Sequence, residues 1–212
     1  MGRIYFLVDG FNLYHALDWS PTGHDPRRYR KYKWNSLSRL ANCYVLDRKN
    51  DSITGIEFFT TLPHWDPAKV ARHKLYIKLQ EAEGVKVIYG EFKHKEVLCK
   101  HCHRVFRRQE EKQTDVNIAV RLFQLAVQDQ FDKAIIISGD TDLIPAVKAV
   151  QSLFPGKPIG VVIPIGRSSE DFKNQADFHF KMKEKHLNSC RLSDTVMLAD
   201  GVTVLHCPAS WR

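Results

Sequence analysis

The sequence predicts an α/β domain with three layers, α/β/α, built on a mainly parallel central sheet. Two observations lead there. Residues 4–8, 56–61, 85–89, 134–137 and 159–163 are short, continuous apolar runs rich in strand formers. Runs without a polar face belong to strands buried on both sides, as in parallel sheets. Helical patterns lie between these runs, and buried strands alternating with helices give a parallel sheet, here of five or so strands.

The first run, Ile4-Tyr5-Phe6-Leu7-Val8, meets Asp9 after only five apolar residues, too short for a signal-peptide core. Nothing later approaches a membrane span, so no membrane partner and a cytoplasmic address are expected. Asp66 can cap a helix with Pro67 in its first turn, and Gly84 ends it after Glu83. Val70, Leu75, Ile77 and Leu79 are its apolar contacts. A second helix covers about 114–127, with Val116, Ala119, Val120, Phe123, Ala126 and Val127 as the expected buried stripe. A third follows Asp142, where Pro145 is tolerated because first-turn N–H groups need no intrahelical acceptor. Val147 and Val150 then face the sheet.

Two stretches interrupt the alternation: a basic loop over 19–33, and a cysteine-bearing insertion over about 92–109. Residues 202–205 read as an edge strand. Without repeats or low-complexity linkers, the chain reads as one domain over 1–185 and a C-terminal extension, 186–212, packed on it.

The net charge of +8 comes from 32 Lys and Arg against 24 Asp and Glu. Arg27, Arg28, Arg30, Lys31 and Lys33 form one patch, and residues 93–108 hold six Lys or Arg against the lone Glu96. A basic surface around concentrated carboxylates suits an enzyme that approaches a phosphodiester; solvated loops are the plain alternative. The five widely spaced cysteines argue against a secreted disulfide scaffold. Cys99 and Cys102 have the spacing of half a tetrahedral zinc site, with two free thiols as the competing reading. His94 or His103 would be nearby ligands, and His73, Cys43 or another subunit could complete the set.

In open α/β sheets, ligands bind beyond the carboxyl ends of the strands. Asp9 and Asn12 stand there in Val8-Asp9-Gly10-Phe11-Asn12, and Asp140 and Asp142 in Ser138-Gly139-Asp140-Thr141-Asp142. Taken singly, Asp9 is equally a turn residue and Asp142 an N-cap. Together, acids after two neighbouring strands converge, and they repel unless a cation neutralises them. Hard oxygen ligands suit Mg²⁺ or Mn²⁺, which retain waters and bind substrate phosphate. A helix beginning one turn before Thr114 would put Glu111 and Asp115 on one face and add Asp115 to the cluster.

These segments resemble the NYN domain family, a branch of the PIN-like nucleases, particularly bacterial members with a cysteine-bearing insertion. The resemblance is carried by Phe6-Leu-Val-Asp-Gly-Phe-Asn-Leu-Tyr14, Glu110-Glu-Lys-Gln-Thr-Asp-Val-Asn-Ile-Ala119 and Ile136-Ile-Ser-Gly-Asp-Thr-Asp-Leu-Ile-Pro-Ala146. It implies a PIN-like Rossmannoid sheet with an acidic pocket and metal-dependent cleavage of RNA. Asp9, Asp115, Asp140 and Asp142 match the family's principal acids and Asn12 its polar pocket residue. Ser138, Lys112 and Arg167 are the expected contacts to substrate. Some family members only bind RNA, so a noncatalytic RNA-binding or adaptor protein is the second reading. A nucleotide-binding enzyme is disfavoured because neither a G-x-G-x-x-G nor a P-loop pattern is present. A homodimer is compatible with the sequence, but no apolar stripe demands one.

Overall fold

A computed structural model describes residues 1–18, 28–98, 100–102 and 104–212. The chain runs through β1 (Gly2–Asp9), α1 (Gly10–Ala16), α2 (Leu37–Asn42), β2 (Asp51–Thr60), α3 (Pro67–Ala82) and β3 (Lys86–Tyr89). A hairpin of β4 (Glu91–Leu98) and β5 (Val105–Lys112) follows, then α4 (Thr114–Val127), β6 (Lys133–Ile137), α5 (Ile144–Leu153) and β7 (Ile159–Ile163). The remainder is α6 (Glu170–Gln175), β8 (Phe178–Lys181), α7 (Glu184–Cys190), β9 (Thr195–Met197) and β10 (Val204–His206).

The main sheet has six strands in the order β3-β2-β1-β6-β7-β8, and every pairing is parallel. The parallel α/β architecture is as the apolar runs predict. The sixth strand, β8, went unread because its Phe-His-Phe-Lys alternates and lies at an edge, half-exposed. β1 is central, and its side chains divide two cores by their period of two. Ile4, Phe6 and Val8 join α1, α2, α3 and α7 on one face, whereas Leu7 joins α4, α5 and α6 on the other. Trp211 and Leu205 belong to the first of these cores. Residues 204–206 pair only with β9, in a separate two-stranded ribbon, rather than extending the main sheet.

The cap of α3 follows the sequence: Asp66 accepts the Lys69 N–H at 3.0 Å, and Gly84 ends the helix at φ +84°. The buried face of α4 follows it only at Ala126. Ile118, Leu122, Leu125 and Ala126 pack on the sheet, while Val116 is 63% exposed and Val120, Phe123 and Val127 also face outward. α4 carries two apolar ridges, which periodicity alone cannot rank. Burying the Ile118 ridge also lets Arg121 reach Glu57 on β2, with Nε 2.9 Å from Oε2. Glu57 is fully buried, and Lys86 Nζ at 3.2 Å and the Tyr5 hydroxyl at 3.1 Å complete its partners. Burial pushes the Glu57 carboxyl up, but Arg121 and Lys86 outweigh it and hold its pKa below the ordinary value.

The insertion forms the antiparallel hairpin β4–β5, so residues 92–109 are largely strand rather than loop. This hairpin stands beside the carboxyl ends of the parallel strands, where it walls the site described next.

Candidate active site

Asp9 is the last residue of β1 and the N-cap of α1; its Oδ1 accepts the Asn12 N–H at 2.9 Å. The next residue must be small: a Cβ on Gly10 would lie 2.5 Å from the Phe59 carbonyl oxygen and from the Phe58 ring. Glycine thus lets α1 start hard against β2, which draws Asn12 over the strand ends. From β6, the Ser138 hydroxyl donates to Asp9 Oδ2 at 2.8 Å and accepts the Asp140 N–H at 3.1 Å. Asn12 Oδ1 accepts the Gly139 N–H at 3.1 Å, tying the two turns together. Asp140 in turn accepts the Asp142 N–H at 3.0 Å. Asp140 rather than Asp142 therefore caps the short helical turn that leads into α5.

Asp115 enters from the first turn of α4. The helix starts at Thr114, so the expected Glu111–Asp115 helical pair does not form; Glu111 lies in β5. Gln113 takes a left-handed conformation that closes the strand before the helix begins, and Glu111 accepts the Thr114 N–H at 3.3 Å.

Asp9, Asp115, Asp140, Glu111, Glu110 and Asn12 line one cavity of about 470 Å³. Asp9 is 2% exposed, and its donors from Asn12 and Ser138 are neutral. Burial drives its carboxyl up to about 7, with Asp115 and Asp140 adding to the rise. Burial likewise raises Asp115 to about 6, helped by Asp140, Glu111 and Asp142. A cation placed between Asp9 and Asp115 would favour the ionised form of both. Among the described residues, no three His, Cys, Asp or Glu side chains are close enough to ligate one ion between them. The donors still fit Mg²⁺ or Mn²⁺ by their chemistry, because Mg²⁺ keeps several waters and binds through one or two carboxylates plus substrate phosphate.

The other expected contacts are dispersed. Ser138 is fully buried, with its hydroxyl committed to Asp9 and Asp140, so it positions the acids instead of meeting phosphate. Lys112 is exposed and pairs with Glu110 at 3.1 Å. Arg167 is exposed beside the Gly139 turn, where a Cβ would lie 3.4 Å from its own. Asp142 is exposed and does not line the cavity. Lys95 on β4 does, a residue the sequence left unremarked within a run of like charges.

The basic patch is partly consumed internally. Arg28 pairs with Glu184, and Arg30 and Lys33 with Asp18. Lys33 is buried, its Nζ 3.4 Å from the centre of the Tyr14 ring. Trp19, Arg27, Cys99 and His103 lie outside the described residues. Of the cysteine pair, Cys102 is an exposed free thiol. His73 pairs instead with Thr60 Oγ1 at 3.3 Å, and Cys43 donates to the Arg39 carbonyl at 3.4 Å on α2. The zinc expectation therefore stands on the cysteine spacing alone.

The sequence pattern of the NYN domain matches residues 3–183, most of the chain and every element of the cavity. The chain belongs to the NYN domain family, within the PIN-like nuclease superfamily. A Vibrio parahaemolyticus protein of unknown function has a similar structure at 16% identity, with a TM-score of 0.56 over 90% of this chain and 96% of that one. That likeness concerns the fold alone. A 6-hydroxy-3-succinoylpyridine 3-monooxygenase of Pseudomonas putida is 32% identical over 84 residues, 40% of this chain. The match spans 27% of that relative's length. Among the described residues, no helix of this NYN protein is long and apolar enough to cross a membrane.

Proposed function

We propose that this protein is a divalent-metal-dependent endoribonuclease. The observation that carries the reading is Asp9: a buried carboxyl, raised by burial and by Asp115 and Asp140, at the carboxyl end of the central strand of a nuclease-superfamily fold. One or two of Asp9, Asp115 and Asp140 would hold Mg²⁺ or Mn²⁺ directly, and the others, with Asp142, would act through its waters. The ion supplies Lewis acidity toward the phosphodiester and the attacking water. Ser138 and the Asn12 backbone fix the Asp9 carboxylate, while the Asn12 side-chain N–H₂ would donate to a phosphate oxygen or water. Lys95, Lys112 and Arg167 offset substrate charge at the rim. In the overall reaction a water oxygen bonds to phosphorus, a P–O ester bond breaks, and the leaving oxygen takes a proton.

The test is incubation of a mixed RNA pool with Mn²⁺, Mg²⁺ or EDTA, with Asp140→Asn beside the wild type. Cleavage should require the metal and disappear in the variant, with circular dichroism unchanged and most RNA affinity retained. Wild-type-like cleavage by Asp140→Asn at limiting Mn²⁺ would remove Asp140 from the site. The spacing of the acids, too wide for a preformed cage, favours a second reading, a noncatalytic RNA-binding or adaptor protein. RNA binding without metal-dependent cleavage would establish that one.

A further inference from the structure

Beside the carboxylates lies a second cavity of about 280 Å³ with a different chemistry. Its walls include Phe11 of α1, Trp65 from the turn before α3, and Phe92 of β4. Trp65 meets Phe92 edge-on with ring centroids 4.6 Å apart, and Phe92 stands 6.4 Å from Phe11. Three rings from separate elements thus come together without closing over one another: Phe11 remains 41% exposed and Trp65 46%. An open aromatic slot of this size, slightly below the range that encloses a drug-sized ligand, takes one flat ring system.

The surroundings identify what the ring should carry. Lys69 and Arg72 of α3 also line the cavity; Lys69 shares its charge with Asp66 at 3.3 Å, and in the adjoining recess Arg30 and Lys33 are already paired with Asp18. Cations against an aromatic slot match a base attached to phosphate, because every base offers a face for stacking and its backbone offers negative charge. Phe11 and Gln109 line both this cavity and the carboxylate cavity, so the two share a wall.

We propose that the aromatic cavity is a nucleobase subsite, holding one unpaired base of a single-stranded RNA whose neighbouring phosphate lies over the carboxylates. The inference rests on the ribonuclease reading for its placement of the phosphate. It specifies that reading further: a base within a duplex stays stacked on its neighbours and cannot enter, so single strands, loops and bulges are the substrate class. Lys69 and Arg72 would hold the phosphate on the far side of the inserted base, a contact without sequence preference that weakens with salt.

The experiment measures binding in EDTA at fixed salt, where cleavage plays no part. The ligands are a short labelled single-stranded RNA, its duplex, and versions of the strand with one abasic nucleotide moved along it. The proteins are the wild type, Trp65→Ala and Trp65→Phe, with thermal melts confirming that each is folded. Trp65→Ala should weaken single-strand binding about tenfold, within the range of one lost stacking contact. Trp65→Phe should restore most of it, and duplex binding should be the same for all three. One abasic position should abolish the difference between wild type and Trp65→Ala, and with Mn²⁺ that position should adjoin the cut. Equal single-strand affinity in wild type and Trp65→Ala, equal losses on every ligand, or no single-strand binding by the wild type would each overturn the subsite. Positional coupling without metal-dependent cleavage would keep the subsite and discard the nuclease. Cleavage with no Trp65 effect would do the reverse.

Discussion

Glu57 and Asp9 are carboxylates withdrawn from water on the neighbouring strands β2 and β1, yet their electrostatic surroundings are opposite. Glu57 meets a guanidinium, an ammonium and a phenol, and its pKa is held below the ordinary value. Asp9 receives two neutral donors, faces further acids, and is driven up to about 7. The fold neutralises Glu57 with its own side chains. Around Asp9 it supplies a backbone and a hydroxyl dipole that fix the carboxylate's position, and no cationic side chain hydrogen-bonds to it among the described residues. On the proposed metal-dependent reading, a buried ion pair and a binding site begin from the same burial and differ in who brings the cation.

The sharpest way to break the contrast is to make Glu57 resemble Asp9. Arg121→Met should lower the unfolding free energy by about 4 kcal/mol, because it leaves a buried charge short of its main partner. Urea unfolding at neutral pH measures the loss, and Glu57→Gln in the same chain should recover most of it. A loss below about 1 kcal/mol would mean that Lys86 alone suffices for Glu57.

The complementary change acts on Asp9, with the opposite sign. Its folded pKa lies above the ordinary 3.8, so ionisation costs stability as pH rises from about 4 to about 7. In EDTA, Asp9→Asn should therefore be more stable than wild type at pH 8 by about 2–3 kcal/mol, and equal to it near pH 4. Each pH unit of displacement is worth about 1.4 kcal/mol, part of which is returned where the amide hydrogen-bonds less well than a carboxylate. A variant less stable at pH 8 would show that the two hydrogen bonds outweigh burial.

A smaller effect follows from supplying the cation. Mn²⁺ at ten times its dissociation constant should stabilise the wild type by about 1.4 kcal/mol, a few degrees in melting temperature, and Asp9→Asn much less. Chelation should reverse the shift. Equal shifts in both proteins would place the ion elsewhere.

The smallest change belongs to the opposite ends of β1 and β6. There Asp132 receives Arg3 at 2.7 Å on the open surface, and its pKa falls to about 2, chiefly through that hydrogen bond. This contribution is complete above about pH 4 and lost as pH falls toward 2. Asp132→Asn should lower the melting temperature slightly at pH 7 and not at all near pH 2. A large effect at neutral pH would mean that the pair is less screened than its exposure implies.

What could be read from the sequence follows the range of the interactions involved. The positions of Asp9 and Asp140 at the strand ends were legible because Asp9 directly follows one apolar run and Asp140 follows another after Ser138-Gly139. The cap at Asp66 and the stop at Gly84 were legible because they act within one turn. Arg121 with Glu57 was not, since 64 positions separate them and only the packed α4 joins them. The same holds for Trp65 and Phe92, which look unrelated along the chain and meet only because the β4–β5 hairpin folds back over the strand ends. The two ridges of α4 cannot be ranked from the sequence because both are apolar, and what chooses between them is a partner on another strand. Glu111 reads as helical from its sequence because nothing in its residue type reveals the left-handed Gln113 that ends β5 first.

The position of β1 also bears on how the protein is made. β1 is synthesised before the other strands of its sheet, but it occupies the middle of that sheet, and the hydroxyl that holds Asp9 lies 129 positions later on the chain. A growing chain can pair β1 with β2 soon after both have left the ribosome, burying one of its edges. The other edge waits until β6 emerges, and with it the turn that brings Asp140 beside Asp9. If the proposed RNA cleavage holds, this order delays assembly of the acidic cavity until the chain through Asp140 has been translated, so the earlier nascent chain, still tethered among ribosomal and messenger RNA, lacks the site.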